Sequence, residues 1–249
     1  MNLLSKELVS LEYREQLQRD LARATVCRFL IAYISLEGID SIGRHLLTRA
    51  LRDPRSFGIG SLSCSCGYEP LLRLQAELSA SVDVRLKYFM DPLVKEADEP
   101  KGLALFHSKL VYLVWERERK AVIYLGSHNW TRRAVGPGGP RNAEASFRME
   151  VEFDPEDLEG TGTSFTSGVN RHLLQAYQFP ACFPATEGNK PRFEEWYQKG
   201  CRATPQGSSL QQNTIILAVR KDDGTVLSPS HWESLERNLQ QGSTWHLGR

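Results

Sequence analysis

The sequence predicts an α/β protein, and two observations carry this prediction. Between residues 27 and 90, three apolar strand segments alternate with two amphipathic helical segments. This order is typical of parallel strands joined by right-handed helical crossovers. Between residues 103 and 153, three further strand segments follow, separated only by a charged turn and a glycine-proline loop. The chain therefore has the elements of one large sheet with helices against it.

Each element is predicted from the spacing of its apolar residues. Helical spacing of Leu11, Leu17 and Leu21 indicates an opening helix, and the apolar positions from Ile39 to Leu51 share one helical face. The predicted strands cover 27–35, 57–64, 82–90, 103–115, 121–127 and 144–153. The predicted helices cover 11–25, 37–51, 69–81 and regions near 168–178 and 192–200, and loops are predicted at 91–102 and 136–141.

Composition limits the classes of function. With 249 residues and 41% apolar side chains, the chain can bury a substantial core. Its 31 basic and 30 acidic residues nearly cancel, so any polyanion must be bound by a local basic patch. No apolar run approaches the roughly 20 residues needed to cross a bilayer, and the charged N-terminus does not fit a signal peptide. We therefore expect a cytoplasmic protein with no membrane partner.

The five cysteines indicate neither a disulfide framework nor a metal site. The spacing of Cys64 and Cys66 does not suit a zinc knuckle, which uses C-x₂-C and a second pair of ligands. Cys27, Cys182 and Cys201 are isolated along the chain. We expect reduced, mostly buried thiols, and we expect no metal and no cofactor.

A set of polar residues lies within the second group of strands. His107 and Lys109 are two residues apart in a predicted strand, so their side chains project to the same face. Ser127 and Asn129 follow the next strand, and Glu144 begins the one after the loop. If these three strands are neighbours, one sheet edge gathers an imidazole, an ammonium, a hydroxyl, an amide and a carboxylate. Such groups suit phosphodiester chemistry without a metal, with histidine as the nucleophile and cationic or amide groups on the non-bridging oxygens.

This arrangement, HSK followed by GSHNWT and then NAE, resembles the phospholipase D superfamily, whose motif is H-x-K followed by G-S-x-N. The resemblance covers residues about 20 to 153 and is greatest to the branch of small nucleases that includes restriction endonucleases with one motif per chain. It implies a mixed sheet flanked by helices, and the small C-terminal extension lies outside the residues that it covers. It also implies catalytic roles for His107, Lys109, Ser127, Asn129 and Glu144. Many members carry an aspartate where this chain has Val114; the acidic role then falls on Glu144, with Glu116 as the alternative.

The resemblance implies a mechanism with two histidines, and this chain has only one H-x-K. The simplest completion is a homodimer whose two-fold axis passes through the active site. The expected function is that of a metal-independent phosphodiesterase, a DNA endonuclease acting through a phosphohistidine intermediate, with DNA favoured over RNA and a place in a restriction or defence system. The alternatives are a lipid-active phosphodiesterase or phosphatidyl transferase, and a non-catalytic nucleic-acid-binding module.

Residues around the motif have two possible roles each. Thr131 begins a predicted helix, whose backbone donors can face an anion. The arginines Arg132, Arg133 and Arg141 either bind the phosphates of a nucleic acid or form a solvated surface. Ser127 either donates to phosphate or braces the turn. Tyr33 either lines the pocket or fills the core, and for Trp115 and Trp130 core filling is favoured over base stacking. His128 should face away from its two neighbours, and it is expected to be structural or to lie at the edge of the substrate site, not to be catalytic.

The chain is predicted to divide near residue 203. Residues 1–203 form the nuclease-like domain, and residues 204–249 form an appendage made of a hairpin and a helix. Asp223-Gly224 is a typical hairpin turn, and the Ser230-x-x-Glu233 pattern is a capping box. Three roles fit the appendage: binding a partner protein, contacting nucleic acid, or completing the dimer.

Overall fold

A computed structural model of the protein describes residues 3–62, 67–78, 83–90, 107–137 and 143–203. In these residues the chain forms one mixed eight-stranded sheet with helices, so the predicted α/β class is confirmed. The strands lie in the order β1-β7-β6-β5-β2-β3-β4-β8. Their bounds are β1 Leu3–Val9, β2 Val26–Ile31, β3 Phe57–Ser61, β4 Leu86–Phe89, β5 Lys109–Trp115, β6 Lys120–Gly126, β7 Ser146–Glu152 and β8 Cys182–Pro184.

Strand direction decides which chain segments meet at each edge of the sheet. The strands β2, β3 and β4 are parallel, while β5 is antiparallel to β2 and pairs Lys109 with Ile31. The strands β5, β6 and β7 are successive antiparallel neighbours, and Gly126 of β6 pairs with Ser146 of β7. Four strand ends therefore lie side by side: the end of β2, the start of β5, the end of β6 and the start of β7. This row of strand ends is one edge of the sheet. The three motif-bearing strands are neighbours, which is the condition on which the expected site depends.

The helices cover both faces of the sheet and agree with the predicted positions, with one exception. Residues 37–51 form two helices, because Gly43 has a positive φ of 96° that ends the first helix and begins the second. The bounds are α1 Tyr13–Arg23, α2 Leu36–Ile42, α3 Arg44–Leu51, α4 Glu69–Glu77, α5 Arg132–Val135, α6 Phe165–Tyr177 and α7 Lys190–Ala203.

Two strands were not predicted, and each is the outermost strand on its side of the sheet. Six of the seven residues of β1 are exposed, so this strand lacks the alternation of buried and exposed residues that marks a strand in a sequence. It is held by an antiparallel ladder to β7. The second, β8, has three residues and pairs with β4. Long-range pairing, which the sequence pattern does not encode, creates both strands.

Two strand boundaries differ from the prediction. The strand β2 ends at Ile31, so Tyr33 and Ser35 lie in the loop that follows it. The strand β5 begins at Lys109, so His107 lies two residues before the strand and not in its middle. The difference places His107 at the sheet edge, where a side chain can reach a substrate.

Each face of the sheet carries its own apolar core. Trp115 and Trp130 are buried in one of them, at 1% and 0% exposure, which confirms core filling and excludes base stacking by either ring. Cys27 and Cys182 are buried free thiols, as expected. Burial raises the pKa of the Cys182 thiol to about 11. Cys64, Cys66 and the side chain of Cys201 lie outside the described part of the chain.

Several predictions fall outside the described residues. The loop at 91–102, the side chain of Arg141 and the appendage at 204–249 are among them, and those predictions stay as they are. Among the helices that the structure does describe, none is long and apolar enough to cross a membrane.

Candidate active site

His107 and Lys109 are in direct contact at the sheet edge. Lys109 is the first residue of β5, and its side chain is buried while His107 is exposed. The Nζ atom of Lys109 lies 2.8 Å from Nδ1 of His107 and donates a second hydrogen bond, of 3.0 Å, to the His107 carbonyl oxygen. A cation and an imidazole are therefore held together, as the H-x-K spacing predicts.

The contact determines the protonation of the histidine. An ammonium group can only donate, so Nδ1 of His107 accepts, and the ring is neutral with its proton on Nε2. Partial burial lowers the pKa of His107 below its ordinary value, the Lys109 charge lowers it further, and the Glu144 charge opposes both. Burial also lowers the pKa of Lys109. The neutral, nucleophilic form of the imidazole is therefore favoured at neutral pH.

Asn129 joins the loop after β6 to the loop after β2. Its Oδ1 accepts a 3.2 Å hydrogen bond from the backbone N–H of Tyr33, which leaves the Nδ2 donor at the other end of the amide. Backbone hydrogen bonds from Trp130 N–H to Tyr33 O (3.0 Å) and from Ser35 N–H to Trp130 O (2.9 Å) lock the two loops together. This junction places the Asn129 amide at the same edge as His107.

Tyr33 lines the site. Its ring meets the His107 ring edge to face, with centroids 5.9 Å apart and planes at 73°. The backbone at Gly38 packs closely against the loop that carries Asn129 and Trp130, because an added Cβ at Gly38 would lie 1.9 Å from the Trp130 carbonyl oxygen. The Tyr33 side chain is half-buried and contacts the histidine ring, which agrees with a place beside the site.

Ser127 is exposed and tied to the strand next to it. Its Oγ accepts from the Ala145 N–H at 3.0 Å, and its own N–H donates to the Ala145 carbonyl at 2.9 Å. The close approach of the two chain segments here requires a glycine at position 126, because an added Cβ would lie 2.3 Å from the Ala145 oxygen. These bonds support the second role considered for Ser127, bracing the turn.

Glu144 lies two residues before β7 and is half-buried. Its charge raises the pKa of both His107 and Lys109, so the carboxylate lies within electrostatic reach of the pair. The alternative acid, Glu116, follows the other end of β5 and pairs with Arg55 at 2.7 Å. A seven-residue strand is about 23 Å long, so Glu116 belongs to the opposite edge and is excluded from this site.

The basic residues next to the motif lie on the surface. Thr131 is the N-cap of α5, a helix of four residues. Arg132 and Arg133 are exposed at the start of this helix. Arg141 and Asn142 lie outside the described residues. The site thus brings together His107, Lys109, Ser127, Asn129 and Glu144, with Arg132 and Arg133 nearby in the chain.

His128 is buried, with 1% of its surface exposed, which agrees with the structural one of its two expected roles. The two residues that it contacts, Ser10 and Ser146, were not predicted from the sequence. Ser10 belongs to a segment that carries no motif, and only the pairing of β1 with β7 brings it to this edge.

Comparison with protein-family models gives no match for this chain, and comparison with curated proteins gives none either. In the parts of the chain that the structure describes, no group of three or more His, Cys, Asp or Glu side chains is placed to hold a metal ion.

Proposed function

We propose that this protein is a metal-independent phosphodiesterase of the phospholipase D type, and specifically a DNA endonuclease that works as a homodimer. The observation that carries the proposal is the contact between His107 and Lys109 at an edge shared with Asn129, Ser127 and Glu144. The resemblance of the H-x-K and G-S-x-N motifs to the nuclease branch of that superfamily supports it.

In the first step a phosphodiester displaces the contact at Nδ1. The Lys109 ammonium moves to a non-bridging oxygen, the Nδ2 group of Asn129 donates to the phosphate, and the lone pair of His107 is released. The imidazole nitrogen attacks phosphorus, a P–N bond forms, and the P–O bond to the leaving group breaks. Glu144 stabilises the cationic ring that results, because its negative charge favours the protonated or substituted imidazole.

The leaving oxygen needs a proton, and a second histidine supplies it. We assign this acid to His107 of the partner subunit. Two identical rings that face one phosphate titrate as a pair, and the reactive state is the one in which the partner's His107 holds the proton. In the second step that residue, now neutral, takes a proton from water, the hydroxyl oxygen attacks phosphorus, and the P–N bond breaks. The cycle ends with a phosphomonoester, an alcohol and both histidines in their original states, so atoms and charges balance.

DNA is favoured as the substrate because the chain has the features of a nuclease more than those of a lipid enzyme. Arg132 and Arg133 are exposed beside the site and can bind phosphates, which a chain of net charge +1 needs. A place in a restriction or defence system follows from the resemblance alone and belongs to this proposal, as does the cytoplasmic location expected from composition.

The proposal is tested by cleavage of supercoiled plasmid in EDTA by the wild-type protein and by His107→Ala. We expect nicking or linearisation by the wild type and none by the variant, because only the nucleophile is removed. Cleavage that needs a divalent metal, or that survives in His107→Ala, would contradict the mechanism. Wild-type protein that leaves DNA and RNA intact but releases the headgroup of phosphatidylcholine vesicles would support the lipid-active alternative. Tight DNA binding without any turnover would support a binding module.

The homodimer is tested by mixing subunits. Dimers are formed from wild-type and His107→Ala chains in varied proportion, and plasmid cleavage is measured at constant total protein. If each site needs His107 from both subunits, activity follows the square of the wild-type fraction, so an equal mixture retains about one quarter of the activity. Retention of about one half would show that each chain works alone and would refute the shared site.

A further inference from the structure

His128 uses both ring nitrogens in contacts inside the protein, although it lies between two residues of the candidate site. Nε2 lies 3.2 Å from the Ser10 carbonyl oxygen, and Nδ1 lies 2.8 Å from Oγ of Ser146. A carbonyl oxygen can only accept, so Nε2 carries the proton and Nδ1 accepts from the Ser146 hydroxyl. Burial lowers the pKa of His128, which keeps the ring neutral in this arrangement.

The ring is also held by stacking. Tyr13 of α1 lies parallel to it, with centroids 3.9 Å apart and planes at 4°. The hydroxyl of Tyr13 accepts a 3.3 Å hydrogen bond from Nε1 of Trp130, a residue of the same loop as His128. The position of the imidazole is therefore determined by contacts in three directions.

Both hydrogen-bond partners of His128 are connected to the segment that contains Glu144. The Ser10 hydroxyl donates a 2.7 Å hydrogen bond to the backbone carbonyl of Glu144 itself. Ser146 lies two residues after Glu144, where the chain enters β7. Between them, Ala145 is bonded to Ser127, the residue before His128. The segment that carries the Glu144 carboxylate is thus attached on both sides to the imidazole of His128 or to its direct neighbour.

We propose that His128 is a positioning residue for the candidate site, which holds Ser10 and Ser146 in place and thereby keeps Glu144 beside His107 and Lys109. The inference rests on the proposed function, since it assigns His128 a part in the same reaction. A buried histidine that only fills space would make the fold more stable without affecting His107. A positioning histidine changes the electrostatics of His107 when it is removed.

The test measures the pKa of His107 by NMR titration of the imidazole resonances, which requires neither substrate nor activity. The variants are Glu144→Gln, which removes the charge, and His128→Phe, which keeps the stack on Tyr13 and removes both hydrogen bonds. Because the Glu144 charge raises the pKa of His107, we expect this pKa to fall in both variants. His172→Phe is the matched control, because His172 is exposed on α6, and it should leave the pKa unchanged.

A second variant covers the possibility that His128→Phe does not fold. Ser146→Ala leaves the imidazole and its stack intact and removes one hydrogen bond, so the pKa of His107 should fall in the same direction by less.

In plasmid cleavage, His128→Phe should lower kcat on the order of 10- to 100-fold with KM unchanged, because a displaced group weakens catalysis and leaves DNA binding intact.

The outcomes separate this inference from the proposed function. If Glu144→Gln lowers the pKa of His107 while His128→Phe and Ser146→Ala leave it at the wild-type value, His128 has no positioning role. If Glu144→Gln itself has no effect, Glu144 is not held beside His107 and the inference is also refuted. A wild-type protein that cleaves no phosphodiester contradicts the proposed function alone, and the titration still decides the role of His128.

Discussion

Replacing Asp20 by alanine is expected to lower the free energy of unfolding by about 3 kcal/mol, because it leaves a buried guanidinium without its main partner. Asp20 is 1% exposed, and its carboxylate accepts hydrogen bonds from Arg148 Nε at 2.7 Å and Nη2 at 3.1 Å. The Tyr124 hydroxyl donates to the same carboxylate. One substitution thus affects a buried cation and a buried phenol.

The remaining partners of Arg148 limit the expected loss. Glu7 of β1 lies 3.0 Å from Nη1, and Glu150 lies 3.5 Å from Nη2. These carboxylates retain part of the charge balance, so we expect a value at the lower end of the range of about 3–5 kcal/mol for a broken buried pair. Because Arg148 also joins β7 to β1 through Glu7, the variant should loosen the edge strand first.

The measurement is urea unfolding followed by circular dichroism. Asp40→Ala is the matched control, because Asp40 pairs with Arg44 at 2.6 Å but is mostly exposed. An exposed pair contributes about 0–1 kcal/mol, so this control should unfold close to the wild type. If Asp20→Ala costs no more than Asp40→Ala, the buried cluster does not stabilise the fold in the way described.

Replacing Lys109 by methionine is expected to reduce plasmid cleavage by about 10²–10³-fold, the loss typical for one donor to a developing negative charge. Methionine keeps the length and apolar stem of the side chain, which is almost completely buried. The change therefore removes the ammonium that contacts Nδ1 of His107 and, in the proposed reaction, the non-bridging oxygen, with little change in packing.

The same substitution should move the pKa of His107 upward. Burial and the Lys109 charge both lower that pKa in the wild type, and methionine removes only the charge. A higher pKa means that the neutral nucleophile is lost sooner as the pH falls, so the acid limb of kcat/KM should shift to higher pH. The direction is opposite to that expected for Glu144→Gln, which removes a negative charge from the same histidine.

The measurement combines the imidazole titration with a pH profile of cleavage. Lys120→Met is the matched control, because Lys120 pairs with Glu150 at the far end of β6 and should affect neither quantity. A His107 pKa that stays constant or falls in Lys109→Met would show that the ammonium does not act on the ring, whatever happens to the rate.

Much of the architecture could be predicted because it depends on local pattern. Strand and helix segments from 26 to 89 follow from apolar periodicity, and the alternation of side chains predicts that His128 faces away from Ser127 and Asn129. The apolar pattern did not predict that residues 37–51 form two helices. The apolar face of this segment continues through Gly43, and only the backbone conformation of that glycine ends α2.

The sequence by itself determined which chemical groups the chain could gather: an H-x-K pair, a G-S-x-N turn and a glutamate, each at a strand boundary. Tertiary structure alone decided which of them meet. It separated Glu116 from the site by the length of β5, and it brought Ser10 to Glu144 across 134 positions through the pairing of β1 with β7. The physical reason is that periodicity records which face of an element is buried, whereas hydrogen bonds between strand ends depend on strand order, which no local pattern specifies.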